Sequence, residues 1–182
     1  MTTNGSDPVD DLLVMQAQEG DRQAFETIVR RWQRRLWTHA YRLAGSSDAA
    51  WDITQEAWIA IVKGLRNLRD PAMFGLWAYR IVSNKSIDYL KSRPLKDAAP
   101  AATLQFGRPP QEGTAILRQV LDRLEPDKKL ILVLCYIEGL TLAELSFVLR
   151  VPEGTIKSRL HASRNAFKLL WQRHAGGRSH ER

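Results

Sequence analysis

The chain has 182 residues, of which 44% are hydrophobic and 26% are charged, a balance typical of a folded globular protein rather than a disordered one. Its formal net charge of +7 favours a polyanionic partner, either nucleic acid or an acidic membrane surface. No apolar stretch approaches the roughly 18 residues that a membrane span needs, and the polar N-terminus does not resemble a secretory signal, so we expect a cytoplasmic protein without membrane insertion.

Apolar residues recur at spacings of three and four along most of the chain, and the alternation typical of strands is nearly absent. We therefore expect an all-α fold. Gly20-Asp21 predicts a helix end followed by an N-cap, and Asp70-Pro71 predicts an N-cap followed by proline at the first helical position. The predicted helices of the first half run from Val9 to Glu19, from Asp21 to Ala44, from Ser46 to Leu65 and from Asp70 to about Arg93.

Residues 94–113 are rich in Pro, Ala, Gly and Gln, a composition typical of a linker. The sequence thus predicts two small helical domains, residues 1–93 and 114–175, joined by a flexible linker and followed by a disordered tail, residues 176–182. The predicted helices of the second domain run from Thr114 to Leu124, from Pro126 to Ile137, from Thr141 to Leu149 and from Gly154 onwards.

The end of the second domain has the pattern of a helix-turn-helix: a capped short helix, a tight turn at residues 151–153 and a longer helix. Apolar residues lie along one face of the longer helix and cations along another, with no Asp or Glu from Gly154 to Arg178. DNA binding is our interpretation, although a solvated charged face would give the same pattern. The cationic face comprises Lys157, His161, Arg164 and Lys168.

The third predicted helix carries Asp48, Asp52 and Glu56 at successive i,i+4 positions with no basic residue between them. The repulsion among them, which nothing local relieves, indicates either an external basic partner or a solvated face. A carboxylate metal site would need a Glu-x-x-His pattern that is absent, and His161 has no second ligand at a suitable spacing. We therefore predict no metal and no cofactor.

The fourth predicted helix combines basic residues with the aromatic residues Phe74, Trp77 and Tyr79. This combination suits single-stranded nucleic acid, because unstacked bases lie on aromatic rings while cations follow the phosphates. Spacing alone is equally consistent with Phe74 and Trp77 being core residues.

Three segments together carry a specific resemblance. DITQEAWIAIVKGL resembles conserved region 2.2 of the extracytoplasmic-function sigma factors, FGLWAYRIVSNKSIDYLKSR resembles their regions 2.3 and 2.4, and LAELSFVLRVPEGTIKSRL resembles region 4.2. The segments occur in the family's order, and the resemblance covers the chain from about Gly20 to Trp171.

This resemblance implies a non-enzymatic subunit that joins core RNA polymerase, recognises the −10 and −35 promoter elements and helps to open the DNA. Its implied partners are promoter DNA, the β′ clamp helices and β flap of the polymerase, and, as in many relatives, an anti-sigma factor. The residues implied to dock on the polymerase are Asp48, Asp52, Gln55, Glu56 and Trp58.

The same resemblance implies which side chains meet DNA. Non-template −10 bases would be flipped from the duplex and captured by the fourth helix, whereas the last helix would enter the −35 major groove. The residues at matching −10 positions are Trp77, Arg80, Asn84, Asp88 and Lys91. Those nearest the −35 element are Thr155, Lys157, Ser158, His161, Arg164 and Lys168.

The chain departs from common family patterns at a few positions. His161 and Ala162 stand where larger or basic residues are frequent, which leaves the preferred −35 sequence open. Ile53-Thr54 replaces a more usual aliphatic pair, and we expect these two residues to lie at a partly exposed turn.

Two other classes of function fit the sequence less well. A stand-alone helix-turn-helix regulator would bind duplex DNA as a dimer, but the acidic helix followed by a basic aromatic helix argues against it. An enzyme lacks support, because the four His and the single Cys135 form no recognisable nucleophile, metal or acid-base pattern.

Overall fold

Every element in the part of the chain that the computed structural model describes, residues 7–92 and 112–176, is helical. The predicted all-α fold is confirmed. The α-helices are α1 (Pro8–Gln18), α2 (Arg22–Ala44), α3 (Ser47–Gly64), α4 (Phe74–Ser92), α5 (Glu112–Asp122), α6 (Pro126–Leu132), α7 (Leu142–Leu149) and α8 (Glu153–Gly176).

Side-chain caps begin the helices at the predicted places. The Asp21 carboxylate accepts hydrogen bonds from the backbone N–H groups of Gln23 and Ala24, and the preceding Gly20 has a φ of +103°, which favours glycine. Thr141 begins α7 with a capping box, because its side chain accepts from the Glu144 N–H while the Glu144 carboxylate accepts from the Thr141 N–H. These caps fix the register of the helices locally.

Two predicted helices differ from expectation at one end. Asp70 does cap Pro71, but the first turn, Pro71–Met73, is a 3-10 turn, and α-helical geometry starts at Phe74. The helix predicted from Pro126 to Ile137 changes to a π-helical turn over Val133–Ile137. The Glu138 side chain follows directly after this turn.

The first four helices pack around α2, whose buried side includes Ile28, Leu36 and Ala40. Trp32 packs edge-on against Phe74 at a ring-centre distance of 5.5 Å. Gly75 is needed beside it, because a Cβ there would be 2.6 Å from a ring carbon of Trp32. The close approach of α2 and α4 depends on this glycine.

The expected partly exposed turn at Ile53-Thr54 is wrong. Both residues are buried in the middle of α3, with exposures of 3% and 0%. The Thr54 hydroxyl donates a hydrogen bond of 2.6 Å to the Ala50 carbonyl, which satisfies the buried oxygen within the helix. A polar residue is tolerated here because of that bond, not because of solvent.

The last four helices form a second group, with Leu145, Val148, Ile156 and Leu160 buried between α7 and α8. This group packs against the first one, since α4 contacts α6 and α7, and α2 contacts α6. One cluster of buried side chains runs through both groups.

The predicted linker, residues 94–113, and tail, residues 176–182, lie almost entirely outside the described residues. α5 begins two residues before the predicted Thr114, and α8 reaches Gly176. Within residues 7–92 and 112–176, every helix is too short or too polar to span a bilayer.

Candidate nucleic-acid interface

The last helix, α8, has one packed side and one exposed cationic side. Ile156, Leu160 and Ser163 are buried at 0–4% exposure. Lys157, His161, Arg164 and Lys168 are all exposed on the neighbouring side, as the 100° rotation per residue requires. The predicted division between a packed face and a cationic face therefore holds over the first half of α8, whereas the apolar Trp171 near its end is 39% exposed.

The turn before α8 is held by a left-handed residue and a hydrogen bond from a side chain to the backbone. Arg150 ends α7 in the left-handed conformation with a φ of +54°, and the Ser146 hydroxyl donates to the Val151 carbonyl at 2.7 Å. These contacts fix the angle at which α8 leaves α7, so Thr155 and Ser158 occupy the first turns of α8 beside the connection.

Two polar residues of α8 were missed by the sequence reasoning. Asn165 is exposed, and its side-chain nitrogen lies 3.0 Å from Nε2 of His161. Arg159 is also exposed, on the opposite side of the helix from Lys157. The signal for Asn165 was its i,i+4 spacing from His161, which places both side chains on one face.

The five predicted −10 residues lie on one side of α4, because their spacings of three and four keep them within a quarter turn. Asn84, Asp88 and Lys91 are exposed, whereas Trp77 and Arg80 are half-buried. The two half-buried side chains line a cavity of about 380 Å³ together with Gly64, Asn67 and Met73. Phe147 of α7 also lines this cavity, so its volume belongs to the arrangement in which the two helical groups are packed together.

Trp77 is therefore neither a core residue nor a free surface residue. Its ring is tilted against Phe74 at a centre-to-centre distance of 6.2 Å, and the residue also lines the cavity. A half-buried indole of this kind suits the stacking of an unpaired base.

The acidic face of α3 is exposed at Asp48, Asp52, Gln55 and Glu56. The expectation that nothing relieves this acidity is wrong for Glu56, because Lys85 of α4 donates to its carboxylate at 2.9 Å. Hydrogen bonding to Glu56 in turn raises the pKa of Lys85 above its usual range. The two residues are 29 positions apart and lie on different helices, so helical spacing within α3 does not reveal the pair.

Trp58 is half-buried, and its ring packs edge-on against Phe25 at a centre-to-centre distance of 6.1 Å. This contact joins α3 to α2. Two apolar residues on the acidic face of α3 were missed: Ile59 and Val62 are 55% and 56% exposed. Both lie off the buried stripe of Ala57 and Ile61, but helical periodicity alone does not show which apolar side of α3 is buried.

Comparison with known proteins identifies the family. Sigma-70 region 2 matches residues 28–94, and Sigma-70, region 4 matches residues 114–167. The ECF RNA polymerase sigma factor SigW of Bacillus subtilis (strain 168) is 30% identical over 173 residues, which cover 85% of this chain and 92% of SigW. The chain belongs to the ECF RNA polymerase sigma factors.

A second relative of this sigma factor is longer. The ECF RNA polymerase sigma factor SigE of Mycolicibacterium smegmatis is 31% identical over 171 residues, which cover 86% of this chain and 66% of SigE. The resemblance stated from the sequence is thus confirmed. The region 4 match ends at residue 167, so Lys168 lies one residue beyond it.

Two solved structures share the fold of the sigma factor. CnrH, in complex with the cytosolic domain of CnrY, has a TM-score of 0.69 and 23% identity, with coverage of 89% of this chain and 96% of CnrH. RpoE of Bartonella quintana, in complex with the anti-sigma factor NepR, has a TM-score of 0.67 and 18% identity, with coverage of 81% and 96%.

Across residues 7–92 and 112–176, no group of three or more His, Cys, Asp or Glu side chains is placed to hold a metal. His161 is paired with Asn165 instead. Cys135 is half-buried, and burial raises the pKa of its thiol.

Proposed function

We propose that this ECF sigma factor divides promoter recognition between two helices: α4 captures unpaired −10 bases, and α8 reads the −35 duplex. The −10 side chains of α4, called the α4 row below, are Trp77, Arg80, Asn84, Asp88 and Lys91. The observation that carries this proposal is that α4 places an indole and a guanidinium, those of Trp77 and Arg80, side by side along one cavity, which Phe147 of α7 also lines. Asn84 and Asp88 extend the row with exposed hydrogen-bonding groups, which suits base edges.

The roles within α8 follow from position along the helix. Thr155, Lys157, Ser158 and His161 lie in its first turns, where side chains of a recognition helix meet base edges. Arg164 and Lys168 lie one to two turns later, where such a helix leaves the groove and meets phosphates. Asn165, hydrogen-bonded to His161, orients the imidazole in the groove.

The exposed face of α3 is the proposed docking surface for core polymerase. Asp48 and Asp52 have no ion pair with another described residue, and Ile59 and Val62 add exposed apolar area beside them. A face with carboxylates around apolar side chains suits a partner helix with basic and apolar residues. Trp58 contributes by holding α3 against α2 through Phe25.

The protein itself performs no bond chemistry in this proposal, acts in the cytoplasm, and occupies the domains predicted from the sequence, residues 1–93 and 114–175. An anti-sigma factor is a further proposed partner. Its support is that two proteins of similar fold were solved as complexes, CnrH with the cytosolic domain of CnrY and RpoE with the anti-sigma factor NepR.

The decisive experiment is run-off transcription with purified core polymerase on a library of promoter fragments. We expect transcripts that depend on the added chain, from templates that share one −10 and one −35 sequence. Trp77→Ala should lower the transcript yield from all of these templates, and Lys157→Ala should change which −35 sequences are enriched.

The matched control is Arg22→Ala. Arg22 is an exposed arginine that is paired with Glu26 and belongs neither to the α4 row nor to the cationic face of α8. A wild-type yield from Trp77→Ala would refute the −10 assignment, and wild-type −35 enrichment with Lys157→Ala would refute the −35 assignment.

A further inference from the structure

A buried carboxylate joins the two helical groups. The Glu138 side chain is 8% exposed and projects from the second group into the first. Its Oε1 lies 3.1 Å from Nδ1 of His39 and accepts a hydrogen bond from Arg42 at 2.7 Å, and its Oε2 accepts one from the Tyr79 hydroxyl at 3.0 Å. His39 is fully buried, and its Nε2 lies 3.0 Å from the Ser83 hydroxyl. One carboxylate of the second group thus contacts three side chains of the first.

The electrostatics of this cluster favour the ionised carboxylate. Burial would raise the pKa of Glu138, but the hydrogen bond and charge of His39, together with Arg42, outweigh it and hold that pKa below its usual range. Burial and the adjacent Glu138 carboxylate raise the pKa of Tyr79, so the phenol keeps the proton that it donates. Separation of the two groups would leave His39 without its acceptor, which opposes opening.

Two cations of the second group bind the end of α2. Lys129, whose side chain is 6% exposed, donates to the Leu43 carbonyl at 2.7 Å. Arg118 donates to the Gly45 carbonyl at 2.8 Å and stacks over the Tyr41 ring at 4.4 Å. Cations are favoured at a helix C-terminus because its last carbonyls carry partial negative charge. Both contacts hold the groups together beside Glu138.

The same arrangement covers part of the α4 row. The Arg80 guanidinium lies over the ring of Phe147 of α7, with its carbon 5.0 Å from the ring centre, and Phe147 also lines the cavity beside Trp77. Lys91, at the other end of the row, lies 3.8 Å from the Asp127 carboxylate of α6. Both cations of the row are therefore engaged by the second group.

This closed arrangement is incompatible with a promoter complex. The −10 and −35 elements are about 25 base pairs apart, or about 85 Å at 3.4 Å per base pair. Phe147, in the helix-turn-helix, instead touches Arg80, in the −10 row. A chain that binds both elements must separate these two residues.

We propose that Glu138 latches the free sigma factor in this closed form, and that an unpaired −10 strand competes with Phe147 and Asp127 for the α4 row. The competition rests on the proposed role of that row, whereas the latch rests on the contacts of Glu138 alone. Because linkage is reciprocal, a ligand that needs the open form must bind more tightly once the latch is weakened.

The test compares the full-length protein with Glu138→Gln and with the matched control Glu125→Gln. Glu125 is an exposed carboxylate of the same helical group, paired only with Lys128 among the described residues. X-ray scattering reports the size of each protein, and fluorescence anisotropy reports its affinity for a labelled single-stranded oligonucleotide that carries the −10 sequence enriched in the transcription library.

We expect wild type and Glu125→Gln to be compact, with a radius of gyration near the roughly 16 Å of one compact unit of this length. Glu138→Gln should be measurably larger. It should also bind the oligonucleotide up to about tenfold more tightly, if about one wild-type molecule in ten is open. Arg42→Gln removes a partner of Glu138 that is 36% exposed. This variant should also have a larger radius of gyration and bind the oligonucleotide more tightly than wild type.

A folded Glu138→Gln or Arg42→Gln protein with wild-type size and wild-type affinity would overturn the latch. Expansion of both variants, with no oligonucleotide binding by any protein, would support the latch while refuting the proposed role of the α4 row. The two failures are therefore distinguishable. If Glu138→Gln does not fold, the Arg42→Gln measurements decide.

Discussion

Trp77 lies so close to Gly64 that a Cβ at residue 64 would be 2.9 Å from the Cζ2 carbon of its indole ring. The end of α3 and the first turn of α4 are therefore in contact at the wall of the cavity. The position of the indole depends on the absence of a side chain at residue 64.

Gly64→Ala should displace Trp77 and slow promoter opening. A ring carbon cannot yield as a flexible side-chain tip does, so we expect a loss of about 1–3 kcal/mol in the free energy of unfolding, as for other overpacked sites. Thermal unfolding and permanganate footprinting with core polymerase measure the two effects. The control is Gly154→Ala, where an added Cβ meets nothing within 4 Å. Wild-type opening by Gly64→Ala would exclude the cavity wall from strand opening.

The −10 base contact is assigned to Asn84, which is exposed in the middle of the α4 row. Asn84→Ala should relax discrimination at a single −10 position, because a lost base contact is worth about 1–3 kcal/mol. Transcription from templates substituted one base at a time measures this effect. Asn67→Ala, in the cavity wall but outside the row, serves as the comparison. Equal losses at every −10 position would indicate a phosphate contact instead.

The local features of this fold could be predicted from the sequence, whereas the contacts between residues far apart in the sequence could not. Asp21, Ser46 and Thr141 cap the helices that the sequence assigned to them, because a cap depends on residues two or three positions away. Glu138 and His39 are 99 positions apart, and only tertiary packing brings them together. Lys85 and Glu56 are similarly separated, by 29 positions.

The exposure of apolar residues on α3 was likewise beyond the sequence. Ile59 and Ile61 are chemically identical, yet Ile59 is 55% exposed and Ile61 is fully buried. Helical periodicity distinguishes the two sides of α3, but it does not show which side faces α2 when both carry apolar residues.

The α3 docking surface predicts separate effects on binding and stability. Ile59→Ser with Val62→Ser should weaken binding to core polymerase, by about 1.5–3 kcal/mol for each side chain that the interface fully buries. The free energy of unfolding should change little, because both side chains are exposed in the free chain. Titration calorimetry with core polymerase and thermal unfolding test the two parts.

Charge reversal gives an independent test of the same surface. Asp52→Lys should also weaken binding to core, whereas Glu26→Lys, an exposed reversal on α2, should not. Glu56→Lys is less informative, because it would also break the ion pair with Lys85. Unchanged core affinity in the folded Ile59/Val62 double variant and in Asp52→Lys would place the docking surface elsewhere.

The α8 face predicts two classes of variant. Lys157→Ala and His161→Ala should change which −35 sequences the full-length protein prefers, because both residues lie in the first turns of the helix. Lys168→Ala should weaken binding to all sequences and lower the salt dependence by about one phosphate contact. Binding of randomised −35 duplexes across salt concentrations separates these outcomes. A uniform loss in all three variants would reduce α8 to a phosphate-binding helix.

The closed arrangement should open in acid. The pKa of Glu138 is lowered in the closed form by His39 and Arg42, with Tyr79 also facing the carboxylate, whereas an exposed carboxyl group has the ordinary value of about 4.3. The stability that Glu138 adds to the closed form is therefore complete above about pH 4.3 and is lost as the pH falls from there through the lowered pKa.

X-ray scattering between pH 7 and 3 measures this opening, and circular dichroism detects unfolding. Wild type and Glu125→Gln should expand before they lose helix. Glu138→Gln should show no such step, because its side chain does not titrate. A wild-type protein that stays compact until its helices unfold would mean that Glu138 ionisation does not control the closed form.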